Sequence, residues 1–305
     1  RSINNVVDVS NLVNLELNQP NHAYDFDAVK DGFIVRLARD GEQFTTLDSV
    51  ERTLTGSDLL ICNAQDQPVG IAGIMGGLHS EVTDATTSIA VEIAYFEPDA
   101  VRATSTRLAL RTEASLRFER GVDPYGAEFA VARFAELLRI TCPGLVVHSG
   151  ATDARTDALP AQVRTTSVRL NTIKRVLGID VTAKALEDLI SPIGFTIAKS
   201  ATDGVVDVGI PSWRNDCTSE IDIVEEVARH YGYDNLGKIV PTSPVHGRLS
   251  DVQRRRRILR DIVVSLGASE AMPNPFLAPG DLAKVGLSED NALKLANPLV
   301  AEESV

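Results

Sequence analysis

A single glutamate lies in the middle of a segment that alternates like a β-strand. In TTSIAVEIAYF, Glu92 shares its face with Ala90 and Ala94, while three branched residues point to the other face. The small neighbours leave space above the carboxylate, which can accept a hydrogen bond from a hydroxyl or an ammonium group. A surface glutamate on a solvated sheet face explains the pattern equally well, because polar-out alternation is its commoner cause.

Two further features in the same part of the chain are typical of ligand sites. Gly76 and Gly77 follow an apolar run and offer backbone N–H groups, although a tight turn is the commoner reason for such a pair. His22 follows Pro20 in a predicted loop, where it can place a water or donate to a carbonyl oxygen. A lone histidine is more often structural, and no Ser/His/Asp, Cys/His or HExxH spacing accompanies it. The sequence therefore predicts no activated side-chain nucleophile.

An acidic cluster follows in the second half of the chain. Asp222, Glu225 and Glu226 share one face of a predicted helix, and Asp216 lies just ahead of it. Like charges at this spacing repel, and a hard cation such as Mg²⁺ would offset them. A solvated acidic first turn, favoured by the helix dipole and by Arg229, is the interpretation that the spacing alone favours. A third interpretation is that these acids contact basic groups of a partner chain.

The bulk composition limits the class of protein. The chain has 305 residues, a hydrophobic fraction of 44% and a formal net charge of −12. This charge argues against a protein that coats nucleic acid non-specifically. No segment approaches the roughly 20 apolar residues of a membrane helix, and the N-terminus lacks the features of a signal peptide. The three cysteines have no metal-ligand spacing and fit reduced thiols in a cytosolic protein. Both ends are interpreted as cuts through a longer polypeptide.

The patterns predict an α+β protein with several domains, the first of them at residues 1–150. Its initial part, to about residue 95, looks β-rich, with one hairpin at Asp40-Gly41 and a second in DLLICNAQDQPVGIAGIMGG. Helices are expected to begin near Pro98 and near Pro124.

A smaller α+β domain is predicted after a linker. The segment at residues 151–162 is polar and rich in turn formers, and residues 163–238 alternate between strand and helix patterns. We expect a hairpin at Asp203-Gly204 and a closing helix from about Ser219 to Tyr231.

A third unit is expected over residues 239–305. Ser250 and Gln253 form a capping-box signature for a helix whose buried side would carry Val252 and Leu259. The basic run at residues 254–257 then lies on a solvated or subunit-facing surface, and we do not interpret it as an RNA site.

Several long strings resemble the beta subunit of bacterial phenylalanine–tRNA ligases. VVDVSNLVNLELNQPNHAYD, GIMGG, VEIAYF and LRTEASLRFERGVDP occur in the order and near the spacing of that family, followed by PSWRNDCTSEIDIVEEVARHYGYDN, SEAMPNPF and ANPL. The resemblance covers essentially the whole chain and points to the central part of the subunit. It implies a tRNA-editing domain (B3/B4), a small winged-helix-like domain (B5) and the truncated start of a catalytic-like module (B6) with a class II synthetase-like antiparallel sheet.

The resemblance also implies an activity, the hydrolysis of mischarged tyrosyl-tRNA(Phe) by a positioned water. Glu92 would recognise the tyrosine hydroxyl with help from the backbone at Gly76, while Thr112 and Ala114 would line the amino-acid pocket. Discrimination would follow because a site that bonds a hydroxyl penalises the analogue that lacks it.

The catalytic positions implied by the family lie near the terminal adenosine and the scissile ester. They are His22, Asn11 and Ser10, with His22 orienting the reactants more than acting as a base. Ser10 stands where the family usually has threonine, and Leu12 replaces a common tyrosine.

Cofactors and partners are implied in the same way. Asp216, Asp222, Glu225 and Glu226 match a magnesium site shared with the alpha subunit of an α2β2 tetramer, which charges tRNA(Phe) with phenylalanine using ATP. The family's ATP site lies in the alpha subunit, so this chain should bind the tRNA 3′ end without aminoacylating it. The alternative is a non-catalytic scaffold that binds tRNA and other subunits. Neither membrane nor DNA is an expected partner.

Overall fold

The fold is described from a computed structural model, which covers residues 2–238 and 247–305. Contacts between Cα atoms divide the chain into two compact units, Arg1–Lys238 and Ile239–Val305. The predicted start of the third unit, residues 239–246, lies outside the described residues. Among the helices that are described, none is long and apolar enough to cross a membrane.

Antiparallel strands dominate the first part of the first unit. They are β1 (Asn21–Asp25), β2 (Phe33–Leu37), β3 (Gln43–Thr45), β4 (Glu51–Thr53), β5 (Leu59–Asn63), β6 (Pro68–Ile71), β7 (Met75–Gly76) and β8 (Ile89–Ile93). Four of them form a sheet in the order β2-β5-β6-β7, while β1 pairs with β8 and β3 pairs with β4. The predicted hairpin between β5 and β6 is confirmed.

The hairpin predicted at Asp40-Gly41 is wrong. Strand β2 pairs with β5, and β3 pairs with β4, so the two strands beside this turn never pair with each other. The physical reason lies in the hydrogen-bond partners of the backbone N–H groups in this turn. The N–H of Ala38 donates to Asp58 O and that of Gly41 donates to Leu54 O, so the turn is bound to the connection that follows β4.

Helices cover the sheets of this part. They are α1 (Asn5–Leu17), α2 (Phe26–Val29), α3 (Pro98–Arg107), α4 (Glu113–Phe118) and α5 (Ala127–Thr141), with a 3-10 turn at Leu78–Ser80. The helices expected near Pro98 and Pro124 are confirmed, the second beginning at Ala127. Helix α1 was not foreseen in a segment interpreted as β-rich. The Asn4 side chain caps it by accepting from the N–H of Val7 at 2.9 Å.

Strand β8 is packed on both faces. Its three branched residues contact a core between α1 and α5 that includes Val13 and Phe134. Ala90 and Ala94, on the opposite face, contact a second core formed with the four-stranded sheet, α3 and α4. The expected alternation is confirmed. The interpretation of Glu92 as a surface residue on a solvated face is wrong, because this face looks into the second core.

The second part of the first unit is a small α+β fold. Its elements are β9 (Val163–Arg169), α6 (Leu170–Leu177), α7 (Ala183–Ile190), β10 (Thr196–Lys199), β11 (Val205–Pro211) and α8 (Glu220–Tyr231), with 3-10 turns at Ser191–Ile193 and Tyr233–Asn235. The antiparallel sheet has the order β10-β11-β9, and both the hairpin at Asp203-Gly204 and the closing helix are confirmed. A hydrogen bond from Asn215 Nδ2 to Val122 O at 2.9 Å joins this part to the first, and Tyr125 OH donates to Pro160 O of the linker at 2.8 Å.

The second unit is helical where it is described. It contains α9 (Asp251–Ser265), α10 (Asp281–Lys284) and 3-10 turns at Glu289–Asn291 and Ala301–Glu303. The capping box of Ser250 and Gln253 is confirmed. Val252 and Leu259, expected on a buried side, are 67% and 61% exposed because α9 buries no residue within the described part of this unit. Residues 247–305 contain no strand, so the sheet expected here is not found among them.

A substitution at the turn between β6 and β7 should destabilise the first unit. Gly73 has φ +70°, and an added Cβ would lie 3.0 to 3.1 Å from Phe96, Phe118 and Val101. Gly41 has a similar φ of +80° with nothing within 4 Å of an added Cβ. Both Gly→Ala changes should cost about 1–2 kcal/mol of backbone strain. Gly73→Ala should cost about 1–3 kcal/mol more through overpacking, seen as a lower urea midpoint. Equal midpoints for the two variants would contradict this packing.

Candidate functional site

A pocket opens between β1, β8, the β6–β7 turn and α4. Its unoccupied space, counting the part open to solvent, is about 410 Å³. Apolar side chains such as Ile71, Met75 and Phe118 form most of the wall, and the polar groups come from β1 and β8. Among the described residues that line it, none is a serine, threonine or cysteine.

Glu92 is bonded to a phenol of the same chain. In the β1–β8 ladder His22 is opposite Glu92 and Tyr24 is opposite Ala90, so these four side chains share one face. The Tyr24 hydroxyl donates to Glu92 Oε2 at 2.5 Å. Burial raises the pKa of Glu92 to about 7, and the hydrogen bond from Tyr24 acts in the opposite direction. The pocket therefore contains a carboxyl group that changes its charge near neutral pH.

His22 lies on a strand, which corrects the prediction of a loop. Its ring meets the Tyr24 ring edge to face, with centroids 4.4 Å apart. Burial lowers the pKa of His22 to about 4, so the imidazole is neutral at pH 7. Its Nε2 atom is buried and has no hydrogen-bond partner among the described residues.

The two glycines are explained by what lies beside them. A Cβ added at Gly76 would be 2.5 Å from Nε2 of His22, and one added at Gly77 would be 2.8 Å from the Phe44 ring. The Gly77 N–H donates to Val69 O at 2.7 Å. The tight-turn interpretation is wrong, because Gly76 belongs to β7 and the pair leaves room for two rings.

Thr112 and Ala114 lie at the start of α4. The Thr112 hydroxyl donates to Ile74 O at 2.8 Å and accepts from the N–H of Ser115 at 3.0 Å. Thr112 therefore caps α4 and fastens the β6–β7 turn to it, while Ala114 lines the pocket itself.

Ser10 and Asn11 lie on α1 and do not line the pocket. The Ser10 hydroxyl donates to Asn21 O at 3.2 Å, and Asn21 Nδ2 returns a bond to Ser10 O at 3.1 Å. Asn11 is exposed. The structure thus brings Glu92, Gly76, His22 and Ala114 together and leaves these two residues on the far side of β1.

Tyr24 is the pocket residue that the sequence reasoning missed. It stands two positions after His22 in NHAYD, so assigning a strand to this string would have placed both side chains on one face. The assignment of a loop removed that signal.

The four predicted magnesium ligands do not form one ligand set. Asp222 Oδ2 accepts from the backbone N–H groups of Thr218 and Ser219, both at 2.8 Å, and closes the capping box of α8. Glu225 is exposed. Asp222 and Glu225 therefore do not belong to a shared set of metal ligands in the described part of the chain.

Arg214 occupies the place that a cation would take between the two remaining acids. It binds both oxygens of Asp216, at 2.6 and 2.8 Å, and Glu226 at 2.9 Å. Among the described residues, only Asp216, Cys217 and Glu226 bring three potential ligand atoms within 4.8 Å of one another. Burial raises the pKa of Cys217 to about 12, and Mg²⁺ prefers oxygen ligands. This donor set does not fit Mg²⁺.

Comparisons with known proteins agree over the whole chain. Family models match in order: the B3/4 domain over residues 1–143, the tRNA synthetase B5 domain over residues 166–233, and the phenylalanyl tRNA synthetase beta chain CLM domain over residues 236–305. The chain is similar to the phenylalanine–tRNA ligase beta subunits of Geobacter sulfurreducens (42% identity), Moorella thermoacetica (38%) and Listeria innocua (35%).

These alignments cover 100% of this chain and 37 to 38% of each relative. The chain therefore spans less than two fifths of the length of the curated relatives it matches. Among solved structures, it resembles an N-terminal fragment of the phenylalanyl-tRNA synthetase beta subunit from Pyrococcus horikoshii, over 75% of this chain and 65% of that one, with a TM-score of 0.40 and 16% identity. That likeness is too loose to bear on the site.

The carboxyl group of Glu92 should titrate near neutral pH. Its carbon resonance, assigned by its loss in Glu92→Gln, should move with a midpoint at pH about 7 rather than near its ordinary 4.5. Because the folded pKa lies above the unfolded one, Glu92 contributes stability below pH 4.5 that is lost as the pH rises to 7. Burial lowers the pKa of His22 from 6.5 to about 4, so its contribution to stability is lost as the pH falls from about 6.5 to about 4. Glu92→Gln should therefore gain stability over wild type between pH 4.5 and 7, and an ordinary midpoint would refute this burial.

Arg214 should be essential to the stability of the small α+β part. Arg214→Gln leaves Glu226, which is 4% exposed, with Arg229 at 2.6 Å and the His230 imidazole at 3.7 Å as its neighbours, and should cost about 3 kcal/mol. Arg102→Gln, which breaks an exposed pair with Asp99, should cost at most about 1 kcal/mol. Hydrogen bonding to Arg214 lowers the pKa of Glu226 to about 2. The difference between Arg214→Gln and wild type should therefore shrink as the pH falls from 4.5 to 2, and urea unfolding at several pH values measures it.

Proposed function

The chain belongs to the family of phenylalanine–tRNA ligase beta subunits, and we propose that its first part hydrolyses tyrosyl-tRNA(Phe). The observation that carries this proposal is the half-buried carboxyl of Glu92 in a mostly apolar pocket. A tyrosine side chain would give this acid a hydrogen-bond donor, whereas phenylalanine would cover it without one. Leaving a buried polar group unpaired costs about 1–3 kcal/mol, so the pocket would favour the tyrosyl ester.

The reaction proposed is attack by a water molecule on the ester. The water oxygen adds to the carbonyl carbon, the bond to the ribose oxygen breaks, and that oxygen takes up the proton. Free tyrosine and an intact tRNA 3′ end are the products. No serine, threonine or cysteine stands among the described lining residues to act as a nucleophile, which supports water in that role.

His22 would orient the reactants. It is neutral at pH 7, so it can accept a hydrogen bond from water or donate one to the ester without carrying a charge. Its position opposite Glu92 on β1 places it on the same face of the ladder as the side-chain recognition group. Ser10, which the family resemblance assigns to the adenosine end, acts through the Asn21 backbone in this proposal, since it bonds that residue. Asn11, assigned to the same end by the resemblance, is exposed and would have to contact the tRNA directly.

The activity of the whole protein is proposed on family membership alone. We expect residues 1–150 to form the editing domain, residues 163–238 the B5 domain with a winged-helix-like arrangement, and residues 239–305 part of a catalytic-like module. The complete ligase would charge tRNA(Phe) with phenylalanine in the cytoplasm, using ATP and Mg²⁺ together with the alpha subunit. No step is assigned to a metal at Asp216 or Glu226, because Arg214 fills the space between them.

Selective deacylation is the test. Incubated with tyrosyl-tRNA(Phe) and phenylalanyl-tRNA(Phe), the chain should release tyrosine faster, and Glu92→Ala should reduce that ratio about 10- to 100-fold, the worth of one hydrogen bond to a charged group. Glu128→Ala, at an exposed position on α5, is the matched control and should leave the ratio unchanged. If this chain hydrolyses neither ester while a complete ligase does, the scaffold alternative describes it better.

A further inference from the structure

We propose that Tyr24 is a positioning residue of the pocket, whose phenol holds one oxygen of Glu92 so that the other oxygen is aimed at a substrate hydroxyl. This inference rests on the proposed function and deepens it by naming a residue that sets the specificity. The Tyr24 phenol already binds one oxygen of the Glu92 carboxyl group, and the phenol of a tyrosyl substrate would bind the other.

The Tyr24 phenol is fixed by its surroundings. The residue is 1% exposed, and its ring lies between His22, with centroids 4.4 Å apart, and Phe33, with centroids 5.4 Å apart. A Cβ added at Gly70 would lie 3.3 Å from the Tyr24 hydroxyl oxygen. The hydroxyl thus lies between β6 and Glu92.

The two oxygens of Glu92 have different roles, because the Tyr24 hydroxyl binds only Oε2. Oε2 accepts from Tyr24 at 2.5 Å, and this bond restricts rotation of the carboxyl plane. Oε1 carries no hydrogen bond from any described residue, so it is the oxygen left for a ligand. An acceptor that is already oriented loses less entropy when it binds a donor.

The same bond favours the form of Glu92 that accepts hydrogen bonds. Two titratable side chains, His22 and Tyr24, face the carboxyl from β1. The described lining residues on β6, on the β6–β7 turn and on α4 contribute no ionisable group. His22 is neutral at pH 7, so the donor that stabilises the carboxylate against burial is Tyr24. A carboxylate accepts a phenol hydrogen more strongly than a protonated carboxyl does.

Tyr24→Phe tests this role because it keeps the ring and removes only the hydroxyl. We expect the ratio of tyrosyl to phenylalanyl ester hydrolysis to fall about tenfold, through a higher KM for the tyrosyl ester with little change in kcat. The titration midpoint of Glu92 should move upward. Tyr125→Phe, which removes a phenol bonded to Pro160 O at 2.8 Å near the linker, is the control and should change neither quantity.

A double-mutant cycle separates positioning from general damage to the fold. In a Glu92→Ala background, Tyr24→Phe should have no further effect on the ratio, because the acceptor through which it acts is gone. A wild-type ratio in Tyr24→Phe, or an equal loss in both backgrounds, overturns the proposal.

Binding of the free amino acids keeps this proposal distinct from the proposed hydrolysis. If wild type hydrolyses neither ester, the hydrolytic function fails, and calorimetric titration with L-tyrosine and L-phenylalanine then decides on Tyr24. A preference for L-tyrosine that is lost in Tyr24→Phe supports the positioning role. The absence of any preference in wild type, or its persistence in Tyr24→Phe, overturns it.

Discussion

Strand β8 is covered on both faces, and the pocket depends on this constraint. One face contacts the core of α1 and α5, and the other contacts the core of the four-stranded sheet. A carboxyl group in the middle of such a strand loses its water, and burying a polar group without a partner is costly. The hydrogen bond from Tyr24 offsets that cost. Because this bond occupies one oxygen of Glu92, the other oxygen remains available to accept a hydrogen bond from a ligand.

The rest of the pocket follows from making room around this pair. His22 must share the face of Tyr24, since the two are two positions apart on β1. Its ring fills the space where position 76 would carry a side chain, and the Tyr24 hydroxyl does the same at position 70. Both positions are glycine for that reason. The apolar surroundings that keep His22 neutral also raise the pKa of Glu92, so the pocket contains an uncharged imidazole opposite an acid that titrates near neutral pH.

Local patterns in the sequence predicted those parts of the fold that depend on neighbouring residues. The alternation around Glu92, the hairpins at β5–β6 and β10–β11, and the cap of α9 all belong to this class. Pairing across long stretches was not predictable in the same way. Strand β1 pairs with β8 although residues 26–88 lie between them. Without that pairing, the sequence around His22 is typical of a loop and gives Tyr24 no place in the pocket. The face of Glu92 was ambiguous for the same reason, because the helices that cover β8 lie at both ends of the domain.

The acidic cluster illustrates how a distant arginine changes the meaning of a motif. Asp222, Glu225 and Glu226 look like a repulsive set on one helix, and repulsion suggests a metal. The fold uses Asp222 as a cap and gives Glu226 a guanidinium from Arg214, twelve residues earlier. A metal ion at this place would have to displace a guanidinium bonded to two carboxylates. The residue after Arg214 has a separate role, since Asn215 donates to Val122 O in the loop between α4 and α5. The turn that neutralises the acids therefore also joins the small α+β part to the loop that follows α4.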